Sequence, residues 1–292
     1  MTRRLAMVIA IQAVLLAAVG LVVLDMRAHY RVEQLGGVNV WGYRGPVMGI
    51  KRPDEIRIAV AGGDLAYGWG VAAAETLPWY LRRTIGLYVM HSGNRARVVT
   101  AVNIAGRGLT AGEYAAWIDR FAYLKIDVLC LLPDPPDHRL GDGRYLPDRH
   151  SRIFAVTGYS PIVPLVMREK AAVSGIAPLR VVAAMLDAAD LQRAPSLEAS
   201  GYASGVAAAV SAGRRAAVAG VVVVWPSSAA ATAGQRTPSD PRVKVVTLDE
   251  FPETQRAEVR LDGYHWSAAG QSLTADAVTP AVTALLQAGE RR

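Results

Sequence analysis

The sequence predicts a three-layer α/β fold, with a five-stranded parallel sheet between two layers of helices, preceded by an N-terminal transmembrane helix. Three observations predict it. Short and almost continuously apolar runs alternate with helix-like stretches from Ile56 to the end of the chain. That is the pattern of strands buried on both faces and joined by helical crossovers. The first such run opens into a glycine-rich turn, "AGGDLAYGWGV" (Ala61–Val71), the place where open parallel sheets hold their ligands. Finally, Leu5–Leu24 is apolar apart from Gln12, and about 20 such residues in a helix cross a bilayer.

Taken in order, the anchor comes first. A secretory leader has a shorter apolar core of ~7–15 residues and ends at a small-x-small cleavage site. Leu24 is followed instead by "DMRAHYR", which favours an uncleaved anchor. Arg3 and Arg4 beside the run favour an inside N-terminus, with the main domain exported from the cytoplasmic membrane by a single pass. Arg27 and Arg31 on the far side oppose that orientation. The expected organisation is an anchor over residues 1–25, a connecting arm over 26–55 and a globular domain over 56–292.

Within the domain the expected strands are Ile56–Ala61, Arg97–Asn103, Asp127–Leu132, Gly220–Trp225 and Val243–Leu248. Helices are expected over Glu75–Leu87, Thr110–Leu124, Tyr202–Ala219 and Ser267–Gly289. Alternation of this kind leads to right-handed crossovers. Residues 133–200 are too long for one connection and read as an insertion with its own helices, one over Pro178–Gln192.

Hydrophobic residues make up 52% of the 292, enough for a sizeable core. The net charge of +7 is scattered, without a block of like charges or interleaved aromatics, so no nucleic-acid partner is expected. Cys130, the only cysteine, sits in a strand-like run and reads as a buried thiol. Asp134, Asp137, His138, Asp142, Asp148 and His150 lie among prolines and glycines and read as solvated turns. Neither a metal nor a cofactor is expected.

Four stretches carry the chemistry. "NVWGYRG" (Asn39–Gly45) precedes the first strand, "GGDLAYG" (Gly62–Gly68) follows it, "NIAGRGLT" (Asn103–Thr110) follows the second, and "DGYH" (Asp262–His265) precedes the last helix. Together they resemble the SGNH/GDSL hydrolases, esterases and acyl hydrolases on a flavodoxin-like fold, and in particular membrane-anchored bacterial members. The resemblance implies Asp64 at the nucleophile position, where the family has serine, with Gly63 and Tyr67 also matching; sliding the match by one residue puts Leu65 there instead, and neither supplies a hydroxyl. Gly63, Tyr67 and Trp69 flank this position and are expected beside the substrate. It implies Gly108 as an oxyanion-hole donor and Asp262 and His265 as the acid–base pair. It places Asp137 on the last residue of the family's third block, while Pro136 replaces the oxyanion asparagine.

A carboxylate is a poor acyl nucleophile, and it brings negative charge to where an oxyanion should form. Losing one oxyanion donor costs ~10²–10³ in rate, and a triad without its nucleophile keeps only ~10³–10⁴ over water. The leading expectation is a catalytically degenerate member that binds or scaffolds, with a carbohydrate or acylated ligand, or an envelope protein, as partner. An active hydrolase using Asp64 and His265 is the alternative. A cleft that shares only the fold and takes an unrelated small molecule is the third.

Overall fold

The computed structural model describes residues 3–34, 36–91, 97–135, 156–157, 159, 162–163, 177–178, 181, 201–234, 240–261 and 264–290. The insertion expected over 133–200, with its helix over 178–192, therefore lies almost wholly outside the described residues.

The chain begins with α1 (Arg3–Gln34). It is long and apolar enough to cross a membrane, with its apolar stretch wholly exposed. The helix does not stop where the apolar run ends. It continues through "DMRAHYRVEQ", past the residue-25 boundary expected for the anchor, because Asp25 and His29, one helical turn apart, find buried partners in the domain. Asp25 accepts the amides of Ile162 and Val163 at 2.8 and 2.7 Å and also the Tyr159 hydroxyl. The His29 ring faces Val38 O at 3.4 Å and Asp25 at 3.6 Å. An apolar-period reading misses this because the determinants are polar.

After the arm come β1 (Glu55–Gly62), α2 (Asp64–Tyr67), α3 (Leu77–His91), β2 (Val98–Asn103) and α4 (Tyr114–Arg120). They are followed by β3 (Val128–Leu132), α5 (Tyr202–Ala216), β4 (Gly220–Trp225), α6 (Ser228–Ala233), β5 (Val243–Thr247) and α7 (Ala268–Glu290). All five expected strands form, within a residue or so of their expected ends. The stretch expected as one helix over Thr110–Leu124 is α4 flanked by 3-10 turns.

The five strands run parallel in the order β2-β1-β3-β4-β5, the order of a flavodoxin-like doubly wound sheet. Strand periodicity divides the core into two. Ala59, Ala61, Leu129, Leu131, Val221 and Val223 pack under α4 and α5. Their neighbours Ile58, Val60, Val128, Cys130, Val222 and Val224 pack under α3 and α7. Cys130 is fully buried, and burial pushes its thiol pKa up to about 12, so it is an inert part of the sheet. The chain order reverses between β1 and β3, which makes the carboxyl ends of those strands the topological switch point where such sheets bind ligands.

At the opposite end of β1, Glu55 and Arg57 form a buried pair at 2.7 Å, and Thr100 and the Arg52 amide also donate to Glu55. Burial opposes the charge on Glu55, but these donors outweigh it and hold the carboxyl down to about 2. A carboxyl whose pKa falls on folding adds stability above its unfolded value, and that stability is lost as pH falls through the folded value. Acid unfolding of the native protein should therefore steepen between pH 4.5 and about 2. The Glu55→Gln variant should lose most of that dependence, worth about 3 kcal/mol at most. Denaturant midpoints measured across the window, with equal slopes in both proteins, would contradict it.

Candidate functional site

Three loops meet at the switch point, and each delivers one group. After β1 the backbone turns through Gly62, at φ +142°, where an added Cβ would lie 1.9 Å from Leu132 O. α2 then starts at Asp64. Its first amides are capped from across the sheet: Asp134, just beyond β3, accepts Asp64 N at 2.7 Å and Leu65 N at 3.1 Å. Gly63 permits this approach, because a Cβ there would meet Asp134 Oδ2 at 1.8 Å. The structure gives Gly63, expected beside the substrate, this packing reason for being glycine.

Asp134 is fixed in turn. Tyr202 donates to its carbonyl at 2.8 Å and its amide donates to the Tyr114 hydroxyl at 3.2 Å. Tyr264 faces the same carboxylate. Burial first, and then the charge of Asp134, raises the Tyr264 pKa far above the ordinary phenol value. Burial does the same for Tyr114. Burial also raises Tyr67, although the Arg44 and Arg107 charges pull it back. These phenols stay protonated and do not serve as bases.

Asp64 is 2% exposed. Its Oδ1 accepts the Gly108 amide at 3.1 Å and lies 3.6 Å from Arg107 Nε. Arg107 is itself buried, with its guanidinium carbon 3.7 Å from the centre of the Trp69 ring. Gly108 adopts φ +61°, which aims its amide back at the turn after β1. The Gly108 amide, expected from the resemblance to be an oxyanion-hole donor, is here engaged by a carboxylate belonging to the chain itself. Asp64, Gly108, Arg107 and Trp69 form one stack.

The arm holds this turn from below. Arg44 is buried and donates to Gly36 O at 2.7 Å, Tyr67 O at 2.7 Å, Gly68 O at 2.6 Å and Val71 O at 2.6 Å. Its guanidinium also lies over the Tyr67 ring, 4.8 Å from the centroid. Asn103 adds a donor to Tyr67 O at 3.1 Å. These groups satisfy the carbonyls left at the end of a four-residue helix. The fully buried Asn39 donates to Gly45 O and accepts the Trp41 amide, both at 2.9 Å, which shapes the turn that presents Arg44. The "NVWGYRG" element is the clamp of the site turn.

The structure therefore brings together Asp64, Gly108, Gly63, Tyr67 and Trp69. His265 is buried, and its ring meets Tyr264 edge-on at 5.0 Å. Asp262, Asp137 and Pro136 lie outside the described residues. Sequence reasoning missed Asp134, Arg107 and Arg44 as site residues. Asp134 had a usable signal, being the first charged residue past the end of β3. Arg107 had none beyond its place next to Gly108. Among the described residues no group of three or more His, Cys, Asp or Glu side chains could hold a metal.

No family model matches the sequence, and no curated protein matches it. Among solved structures, a two-domain esterase (CEX) active on acetylated mannans is similar at 13% identity and TM-score 0.45. The match covers 82% of this chain and 50% of that one, so this chain spans half that esterase's length. The psychrotrophic esterase EstA from Pseudoalteromonas sp. is similar at 11% identity and TM-score 0.45, over 79% of this chain and 98% of that chain. A G-D-S-L family lipolytic protein from Desulfitobacterium hafniense DCB-2 is similar at 10% identity and TM-score 0.39, over 77% and 98%. These neighbours in shape are esterases and a GDSL-family protein, the class whose motifs the sequence resembles, and the likeness is distant.

Proposed function

We propose that this chain is an SGNH/GDSL hydrolase-like protein that binds instead of hydrolysing, held by α1 to the cytoplasmic membrane with its main domain outside. One observation carries the reading. Asp64 occupies the nucleophile position and its carboxylate takes the Gly108 amide, with Arg107 beside it. Acyl transfer needs an attacking hydroxyl or thiol and an open donor for the oxyanion, and this arrangement supplies neither. A carboxylate this buried is also badly placed to attack a saturated carbon or to activate water, which weighs against the active-hydrolase alternative. The ligand class is a carbohydrate or an acylated molecule, with an envelope role, by resemblance of the motifs.

The test is ester turnover by the purified full-length protein on acetyl esters and O-acetylated sugars. The expected rate equals that of the His265→Ala variant. Turnover that vanishes in His265→Ala would overturn the reading and restore the hydrolase.

A further inference from the structure

Gln12 is the one polar side chain in the apolar run Leu5–Leu24, and it stands well inside it. At ~1.5 Å per residue it lies about 10 Å from the nearer edge of the hydrocarbon and about 4 Å from its middle. The side chain is too short to bring its amide back to the headgroups. Resting on the membrane-anchored reading above, we propose that Gln12 pairs with the same residue of a second copy of this chain, so that α1 is a dimer seam as well as an anchor.

Three observations support the pairing. The first is need. A primary amide in hydrocarbon costs free energy until its donors and its acceptor are met. The apolar stretch of α1 is wholly exposed, Gln12 included. Among the described residues, the part of α1 that the domain covers begins only at Asp25, about 20 Å further along the axis. The partner therefore comes from outside the chain.

The second is self-complementarity. A primary amide carries two donor hydrogens and an acceptor oxygen, so two of them facing each other exchange N–H···O bonds in both directions. Two copies cross the membrane in the same sense, which brings their amides to the same depth about a two-fold axis. A helix of another protein meets the need only where it carries a polar group at that depth.

The third is the face. Leu5, Val8, Gln12, Leu15, Val19 and Val22 follow one another at alternating steps of three and four. That is the seam of a left-handed helix pair, in which a single amide fixes the register. Other sides of an all-apolar helix offer similar packing, and Gln12 is what selects this one. At about 100° per residue it points about 140° around the helix from Asp25, whose side is bolted to the domain. Ala6, Ala10, Ala13, Ala17 and Gly20 line another side, about 120° from Gln12. Helices can approach closely on small residues, but a pair joined there would leave both amides in lipid.

The experiment uses the full-length protein in phosphatidylcholine vesicles. Val8→Cys, Leu15→Cys and Val19→Cys each place a thiol on the Gln12 side, and Ala10→Cys and Ala17→Cys on the small-residue side. Native Cys130 is fully buried and stays silent. Mild oxidation should trap disulfide dimers at the first three positions and few at the other two. Resonance energy transfer between labelled copies, diluted in lipid, gives the dimerisation constant. Gln12→Leu should lower it about five- to thirtyfold, and Gln12→Asn, which keeps an amide, should recover most of it. Stronger trapping on the small-residue side, or an unchanged constant in Gln12→Leu, would overturn the pairing, as would the absence of trapping at every position. A carbonate wash comes first. Protein that leaves the bilayer overturns the anchored reading itself, whereas protein that stays without dimerising overturns only the pairing.

Discussion

Asp64→Ala should be among the most destabilising substitutions in this domain, although it removes only a small polar side chain. The carboxylate is buried at the carboxyl end of β1 and accepts the Gly108 amide, with Arg107 at 3.6 Å. Removing it withdraws a countercharge from a buried guanidinium and an acceptor from a buried amide. Breaking a buried pair on one side typically costs about 3–5 kcal/mol, and the low end applies here because the pair is at ion-pair distance, not hydrogen-bond distance. A loss of about 3 kcal/mol in denaturant unfolding is expected, with an unchanged slope. Asp64→Asn keeps the shape and the acceptor oxygen but not the charge, so it should lose less. A loss below about 1 kcal/mol for Asp64→Ala, the ordinary size of a surface effect, would mean that Asp64 is not the keystone of the stack.

Arg44→Ala should cost as much or more. The guanidinium donates to four carbonyls from two parts of the chain, and its loss leaves the end of α2 and the Gly36 turn without their donors. Hydrogen bonds to charged groups are worth about 1.5–3 kcal/mol each before reorganisation, and they do not add. A loss of about 4 kcal/mol is expected, which for a domain of this size lowers Tm by roughly 10 °C. Arg44→Lys should recover only a fraction, since an ammonium has three donors on one atom and cannot span the fork. A lysine variant as stable as the native protein would show that charge alone matters at this position.

The sheet was legible because its strands are bounded apolar runs of four to eight residues, separated by helix-length stretches; β1, β3 and β4 are buried along their whole length, while the edge strands β2 and β5 expose Val98 and Val245. The apolar part of α1, long enough to cross a membrane, was legible for the same reason up to Leu24. Its continuation to Gln34 was not, since Asp25 and His29 look like residues that end an apolar helix until their partners beyond residue 36 are known. Asp64 was found by the rhythm of the glycines around it. The sequence suggested a carboxylate waiting for a substrate or for His265. The fold instead turns it toward Gly108 and Arg107, contacts set by the φ +61° of Gly108 and by the crossing of two loops that are distant in sequence. By its sequence surroundings Asp134 reads as one of several solvated turn residues. Its role as a cap on α2 depends on β1 and β3 being neighbours, which no local pattern reveals.

The central claim is that the Asp64 carboxylate fills the place an acyl oxyanion would take. The direct measurement is thermal unfolding of the native protein and of Asp64→Ala, titrated with sodium formate at constant ionic strength. In the variant, formate should settle between the Gly108 amide and Arg107 and restore stability. At about 100 times its Kd the gain is about 2.7 kcal/mol, a rise in Tm of several degrees. The native protein should not respond, because its own side chain already occupies that place. A native protein that formate stabilises as strongly as the variant would contradict the account, and so would an Asp64→Ala variant that formate leaves unchanged.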